Sequence, residues 1–325
     1  MSRVKGGIIL REMREATPEE RKRYYRDEWS SKDLPDYVLH TLSLREFGFD
    51  HEGKGPSDRY NQFMTPDELS DYLCDRYPYA VYCSVALYER PSERKKWLKS
   101  ELAFDIDAKD LPFKRCDCSG GDVCELCLED ARRVTAEFGE TLSSDLGLNN
   151  ISYVYSGRGF HIRVSDDSVM EMGQASRSQV VEYVTGGVVP SDVTLSLGYS
   201  RVFRERAKRT FEELSEEDLV ENGLGRSSAK KLMKEKDKAV DLIKKGKFDN
   251  IRNFEGIGPK YFKRLMDFLT RLNSEYTDGK VTIDKKRILR VPSSLHSTVS
   301  RKCVEIKDIH NFSFEKAMPN FLNEG

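Results

Sequence analysis

The sequence predicts a mixed α/β protein in which a block of charged helices interrupts a strand-bearing region. Three observations carry this. Between residues 40 and 165, short alternating or β-rich runs trade places with capped helical patterns. From about 170 to 275 the pattern turns to charged helix-forming segments, and a final mixed segment begins near Thr277. At 325 residues the chain is long enough for one large domain or two smaller ones.

The elements follow in order. In "TPEERKRYYRDEW", Thr17 can cap a helix, Pro18 suits its first position and Glu20 can reach back to the cap. "TPDELSDYLCDRY" repeats the device from Thr65. Between them, "SLREFGFDHEGKGPSDRYNQF" alternates around a Gly-rich centre, as two strands joined by a loop would. "YAVYCSVALYER" and "SELAFDID" read as further strands, and residues 122 to 142 as a helix. "NNISYVYSGRGFHIRVSDD" then gives two β-rich runs around a tight glycine turn. Within the helical block, Ser215 caps "EEDLVENG".

Composition excludes several classes. The apolar stretch at residues 8–10 is too short for a signal core, and no run approaches membrane-spanning length. A soluble protein of the cytoplasm is expected, or of the nucleus in a eukaryote. With 54 basic and 55 acidic residues, net charge argues neither for nor against a polyanionic partner, so local patches must decide. Aromatic residues at 10% exclude disorder despite the charged surface. Seven cysteines, an odd number, argue against a disulfide framework.

Asp105 and Asp107, in "ELAFDIDAKD", point to one face of a strand while Phe104, Ile106 and Ala108 take the other. Two carboxylates so placed repel each other unless a divalent cation sits between them. Mg²⁺ or Mn²⁺ suits such hard oxygen donors better than Zn²⁺. Two solvated acids at a strand end are the plainer alternative for an isolated pair.

Just downstream, Cys116, Cys118, Cys124 and Cys127 fall in "CDCSGGDVCELC", with Gly120 and Gly121 letting the loop fold back. Four thiolates can close a tetrahedral shell around a structural Zn²⁺. A redox pair or unrelated buried thiols are the alternatives. Cys74, Cys83 and Cys303 have apolar or β-rich neighbours and read as core residues.

"YVYSGRGFHIRV" carries Ser156, Arg158 and His161 around two glycines. Small residues let backbone N–H groups approach a phosphate, a guanidinium gives two parallel donors and an imidazole adds another. In the helical block, "GLGRSSAKKLM" and "GIGPKYFKRLM" recur 33 residues apart. Gly-x-Gly opening a basic helix can present N–H groups to a phosphate, as helix-hairpin-helix modules do, or can simply start a helix after a turn.

Taken together, "YYRDEW", "REFGF" with "DRYNQF", "LAFDID", the cysteine knuckle, "YSGRGFH" and "TDGKVTIDKKRILRVPSSLH" resemble the catalytic small subunit of archaeal and eukaryotic type DNA primase. The likeness spans nearly the whole chain except the helical block. It implies a primase-type catalytic domain built from residues 1–169 and 276–325, with mixed sheets, a zinc knuckle at 116–127 and a variable helical insert at 170–275. It implies a third metal-binding acid eighteen residues before His296, which is Asp278, with Asp284 bracing the loop. By the same resemblance Ser156, Arg158, His161, Arg290 and His296 contact an incoming nucleotide, as do Glu46 and Arg59.

The implied activity is synthesis of short RNA, or also DNA, primers on single-stranded DNA from nucleoside triphosphates. Asp105, Asp107 and Asp278 would hold two Mg²⁺ or Mn²⁺ ions, the four cysteines Zn²⁺, and a large primase subunit would form the heterodimer. Two rivals stand beside this reading: a primase-like polymerase of end joining or translesion repair, and a non-catalytic zinc-stabilised nucleic-acid-binding subunit.

Overall fold

The computed structural model describes residues 13–322, so the apolar stretch at residues 8–10 lies outside the described residues. Helix α1 (Pro18–Arg23) opens on the expected reciprocal cap: Thr17 Oγ1 accepts the Glu20 N–H at 3.2 Å and Glu20 Oε2 accepts the Thr17 N–H at 2.8 Å. It runs on as a π turn, Tyr24–Glu28, which buries Tyr24 and Tyr25. After α2 (Asp36–Leu39) come β1 (Phe47–Asp50) and β2 (Asp58–Asn61), an antiparallel pair around the Gly-rich loop. Thr65 caps α3 (Pro66–Arg76), but Glu68 turns to the Met64 N–H at 2.7 Å and leaves the reciprocal bond unmade.

The expected "YAVYCSVALYER" run divides at Val85 into β3 (Ala80–Ser84) and β4 (Ala86–Arg90). A strand not foreseen, β5 (Lys95–Ser100), pairs with β4 and leads into β6 (Leu102–Asp107). Then come α4 (Glu125–Ser144), β7 (Ile151–Tyr155) and β8 (Gly159–Val164). The helical stretch comprises α5 (Asp167–Met170), α6 (Gln174–Thr185), α7 (Gly198–Glu213), α8 (Glu216–Glu221), α9 (Arg226–Lys234), α10 (Lys236–Lys244) and α11 (Pro259–Ser274). Short α12 (Gly279–Ile283), β9 (Ile288–Arg290) and β10 (Val304–Ile306) follow.

Two four-stranded antiparallel sheets organise the molecule, in the orders β2-β1-β3-β9 and β10-β7-β8-β6. Each has its own core. The first packs Phe47, Phe49 and Val81 against Leu69 and Leu73 of α3 and the two buried tyrosines. The second packs Phe104, Ile106, Phe160 and Ile162 against Leu128, Val134 and Phe138 of α4. A third core, including Phe203, Phe211, Leu232, Ile243 and Leu265, draws its buried residues from α7 to α11 and the turns between them. By contrast α5 and α6 send Val169 and Val184 into the second sheet's core. Among the described residues no helix is long and apolar enough to cross a membrane.

Two features of this plan position the site. Strands β9 and β6 are the edge strands of their respective sheets. The β4–β5 hairpin connects the sheets, entering after Val85 and leaving before Glu101, whose N–H donates to the Val85 carbonyl at 3.0 Å.

Candidate nucleotide and metal site

The open edge of β6 carries the paired acids. In register with β8, Asp105 lies opposite His161 and Asp107 opposite Gly159. The turn between β7 and β8 holds Gly157 at φ +102°, where a Cβ would sit 2.5 Å from Cβ of His296. A Cβ on Gly159 would come 2.3 Å from the Ile106 carbonyl oxygen, so this close strand approach requires glycine. The sequence expected these glycines to serve phosphate; their packing role is at least as direct.

Asp278 arrives from the far side of β6. Its N–H donates to the Asp105 carbonyl at 3.2 Å, and Thr277 Oγ1 donates to the same oxygen at 2.8 Å. These bonds occupy the edge of β6 that its sheet leaves unpaired. The Asp278 carboxylate caps α12 by accepting the Lys280 N–H at 3.0 Å, and Arg287 Nη2 stands 4.0 Å from it. Asp284 accepts the Lys286 N–H at 2.9 Å and so tightens the loop before β9.

Between the two edge strands lies a cavity of about 330 Å³. Asp105, Asp107, Ser156, Arg158, His161, Arg290 and His296 all line it. Asp278 does not line it, and neither do Glu46 and Arg59. Glu46 is wholly buried and accepts Arg59 Nε at 2.7 Å and Arg94 Nε at 2.6 Å, so here its carboxylate braces two arginines.

Electrostatics in the cavity are lopsided. Loss of water, followed by the like charge of Asp107, pushes the Asp105 carboxyl up to about 7; Arg290 and Arg287 pull against this and Asp278 adds to it. Burial, then Arg290, Arg163 and Arg287, push His161 down to about 3. Its imidazole is therefore neutral at neutral pH, and its Nε2 stands 3.6 Å from Asp105, too far for a hydrogen bond. His296 is held well below the usual histidine range by burial and by Arg290, Arg158 and His161. Its Nδ1 accepts the Thr298 N–H at 3.2 Å, which leaves Nε2 as the other polar atom of the ring.

The donors are only partly used. Arg158 Nη2 donates to Asp107 at 2.9 Å and Arg290 Nη2 to the Tyr82 hydroxyl at 3.0 Å. Arg158 Nε, Arg290 Nε and His161 Nδ1 are buried without partners among the described residues. Three buried, unsatisfied nitrogens around one cavity mark a place where an oxygen-rich ligand would fit.

Sequence reasoning missed two cationic neighbours, Arg287 and Lys54, which also line the cavity. Arg287 precedes β9 by one residue, in a loop that gave no periodic signal. Lys54 sits between two glycines in a loop pinned by buried Asp50: Oδ1 accepts the N–H groups of Glu52, Gly53 and Lys54 and Oδ2 that of Gly55, at 2.7 to 3.2 Å. An aspartate closing a strand before a Gly-rich run was the available clue.

The four knuckle cysteines come together, with their sulfurs all within 4.8 Å of one another. Zn–S bonds of about 2.3 Å put tetrahedral sulfurs roughly 3.8 Å apart, and Cys124 and Cys127 are separated by 4.0 Å. Cys124 caps α4, and the Cys124 N–H points at Cys127 Sγ at 3.1 Å. Burial opposes ionisation of Cys124, yet the N–H groups of Cys127 and Leu126 and the neighbouring thiols outweigh it and lower its pKa. A group this tight can hold a metal ion, and zinc fits it. Cys83 and Cys303 are buried as expected; Cys74 is half-buried and its thiol meets the Tyr25 carbonyl.

Paired carboxylates facing a cationic, imidazole-lined cavity define a protein that can hold a polyanion beside a divalent cation. The comparisons with known proteins narrow that class. A family model described as DNA primase small subunit matches residues 104–308. The DNA primase small subunit PriS of Methanothermobacter thermautotrophicus is 43% identical over 323 residues, covering 95% of this chain and 97% of that protein. PriS of Methanobrevibacter smithii is 43% identical over 331 residues, covering 95% and 98%, and that of Pyrococcus horikoshii is 40% identical over 332, covering 96% and 95%. The chain belongs to the DNA primase small subunit family.

Proposed function

We propose that this chain is the catalytic subunit of a primase, joining nucleoside triphosphates into short primers on a single-stranded DNA template. One observation carries the mechanism: the register of β6 against β8 sets Asp105 and Asp107 beside the glycine turn of Arg158 and His161, across one cavity from Arg290. Asp105, Asp107 and Asp278 are the proposed ligands of Mg²⁺ or Mn²⁺. The chemistry of the donor set supports this, since the strain that raises the Asp105 pKa is what a bound cation would relieve. Divalent ions held there would lower the barrier to attack by a 3′-hydroxyl on the α-phosphate and to loss of pyrophosphate.

The chain's own groups do the rest. Arg158 and Arg290 offer their unpaired Nε–H groups to triphosphate oxygens, and neutral His161 and His296 add hydrogen bonds without carrying charge. Ser156 lines the same cavity. Glu46 and Arg59 act from the neighbouring sheet, with Glu46 fixing Arg59 and Arg94 in place. No side-chain nucleophile is needed, because in-line displacement depends on positioning and charge neutralisation.

The knuckle at 116–127 is the proposed structural Zn²⁺ site. The catalytic unit is proposed as residues 1–169 with 276–325, and residues 170–275 as its helical insert. The partner is a large primase subunit in a cytoplasmic heterodimer, since holding two nucleotides without a preformed helix asks for more template grip than one cavity provides.

The decisive experiment is synthesis from labelled nucleotides on single-stranded DNA, with and without the large subunit. De novo dinucleotides that disappear with Asp107→Ala are expected. Unchanged synthesis by that variant overturns the enzyme reading, and extension of preformed primers alone favours a repair polymerase.

A further inference from the structure

We propose that the two glycine hairpins of the helical block form a docking surface for the phosphate backbone of double-stranded DNA, apart from the catalytic cavity. The first observation is charge. Residues 223–264 carry 13 Lys and Arg against 5 Asp and Glu, a local excess of +8 in a chain whose total is −1. Such a local excess in a chain of near-zero net charge is the electrostatic footprint of a polyanion partner.

The second observation is the way the hairpins pack. The 33-residue repeat of the sequence is also a spatial repeat. Gly223 and Gly256 hold φ values of +90° and +84°, and each turn leads through a buried aliphatic residue, Leu224 or Ile257, into α9 or α11. Each hairpin is fastened to the helix that starts at the other. Arg264 of α11 donates to the Gly223 carbonyl at 2.7 Å, and Ser228 of α9 donates to the Gly256 carbonyl at 3.0 Å. These crossed contacts set the two helix starts side by side.

Exposed cations sit on these helix starts: Arg226 and Lys230 on α9, and Lys260 and Lys263 on α11. None of the four has an ion-pair partner among the described residues, unlike Lys231, which is tied to Glu255. Charge complementarity thus selects phosphate as the occupant. Two cationic helix starts held side by side suit the two backbones of a duplex. The unit presents no strongly exposed large apolar side chain, so it lacks the stacking platform that single-strand binders use. A duplex is also what primer synthesis leaves behind, but binding is read here without turnover and stands independently of the catalytic reading.

The test measures binding of a short fluorescent DNA duplex to the full chain across a salt series, without nucleotides. Combining Arg226→Gln, Lys230→Gln, Lys260→Gln and Lys263→Gln is expected to weaken duplex binding roughly tenfold or more and to flatten the log–log salt slope by about 3.6, at about 0.9 per lost phosphate contact. Unchanged thermal melting shows that the variant is folded. A control pair at the end of α10, Lys244→Gln with Lys245→Gln, should change the slope much less. An unchanged slope in the fourfold variant, an equal loss in the control, or a loss confined to single-stranded DNA each overturns the proposal.

Discussion

Glu101 shows how one residue's environment can fix both its chemistry and its consequence. It is wholly buried, its two oxygens receive Arg45 and Arg163, and both of those side chains are also buried. Burial alone would raise its pKa, but the two guanidiniums outweigh that and hold it below the ordinary 4.5. A depressed carboxylate stabilises the fold fully above its unfolded pKa and loses that contribution as pH falls through the lower folded value. Glu101→Gln leaves two buried guanidiniums underpaired and should cost roughly 3 kcal/mol or more at neutral pH. Thermal melting at several pH values checks this: the gap between wild type and variant should narrow below about pH 4.5. At Gly159, by contrast, the constraint is space. Gly159→Ala must push β8 away from β6 at a cost of roughly 1 to 3 kcal/mol, and because Asp107 is opposite, primer synthesis should fall by more than the loss of folded protein explains.

Among the elements, the knuckle and the acid strand are joined by the short stretch after Asp107 yet are built on different interactions. Two of the cysteines, Cys124 and Cys127, are held by the start of α4 and the other two by the loop before it, whereas Asp105 and Asp107 are fixed by pairing with β8. Cys124→Ser, or zinc chelation, should therefore lower the melting temperature while leaving the Mn²⁺ concentration needed for half-maximal activity within about twofold; a parallel loss of Mn²⁺ affinity would contradict this separation. Elements governed by local rules were legible in the sequence. Thr17, Thr65 and Ser215 announce helix starts because a cap involves residues three apart. Alternation in "LAFDID" assigned its two faces correctly because β6 is regular. Strand β5 was not legible: Lys96 adopts φ +55° and the pairing shifts register at Leu87/Tyr88, so alternation fails there. Lys54 and Arg287 escaped for another reason, since their place in the cavity depends on two sheets meeting, which no window of sequence contains.

At the scale of the whole molecule, the site is a seam. The paired acids and the Arg158–His161 turn belong to one sheet, Arg290 to the other, and the sheets have separate cores. The width of the cavity therefore depends on what bridges the sheets. The buried bridge includes Arg45, two residues ahead of β1, which donates to the Ser84 carbonyl at 2.6 Å, to the Tyr37 carbonyl at 3.1 Å, to Thr41 Oγ1 at 2.8 Å and to Glu101, while Glu101 in turn meets Arg163 of β8. Arg45→Lys keeps the charge but cannot reproduce the planar fork that reaches four partners. Because Asp105, Asp107 and Asp278 all attach to β6, loosening the bridge should leave their mutual placement intact while moving Arg290 relative to them. The expected outcome is a several-fold rise in nucleotide KM with the Mn²⁺ requirement unchanged, measured on folded protein below its melting temperature. A loss of metal affinity with nucleotide KM unaltered would mean that the acids, and not the seam, depend on Arg45.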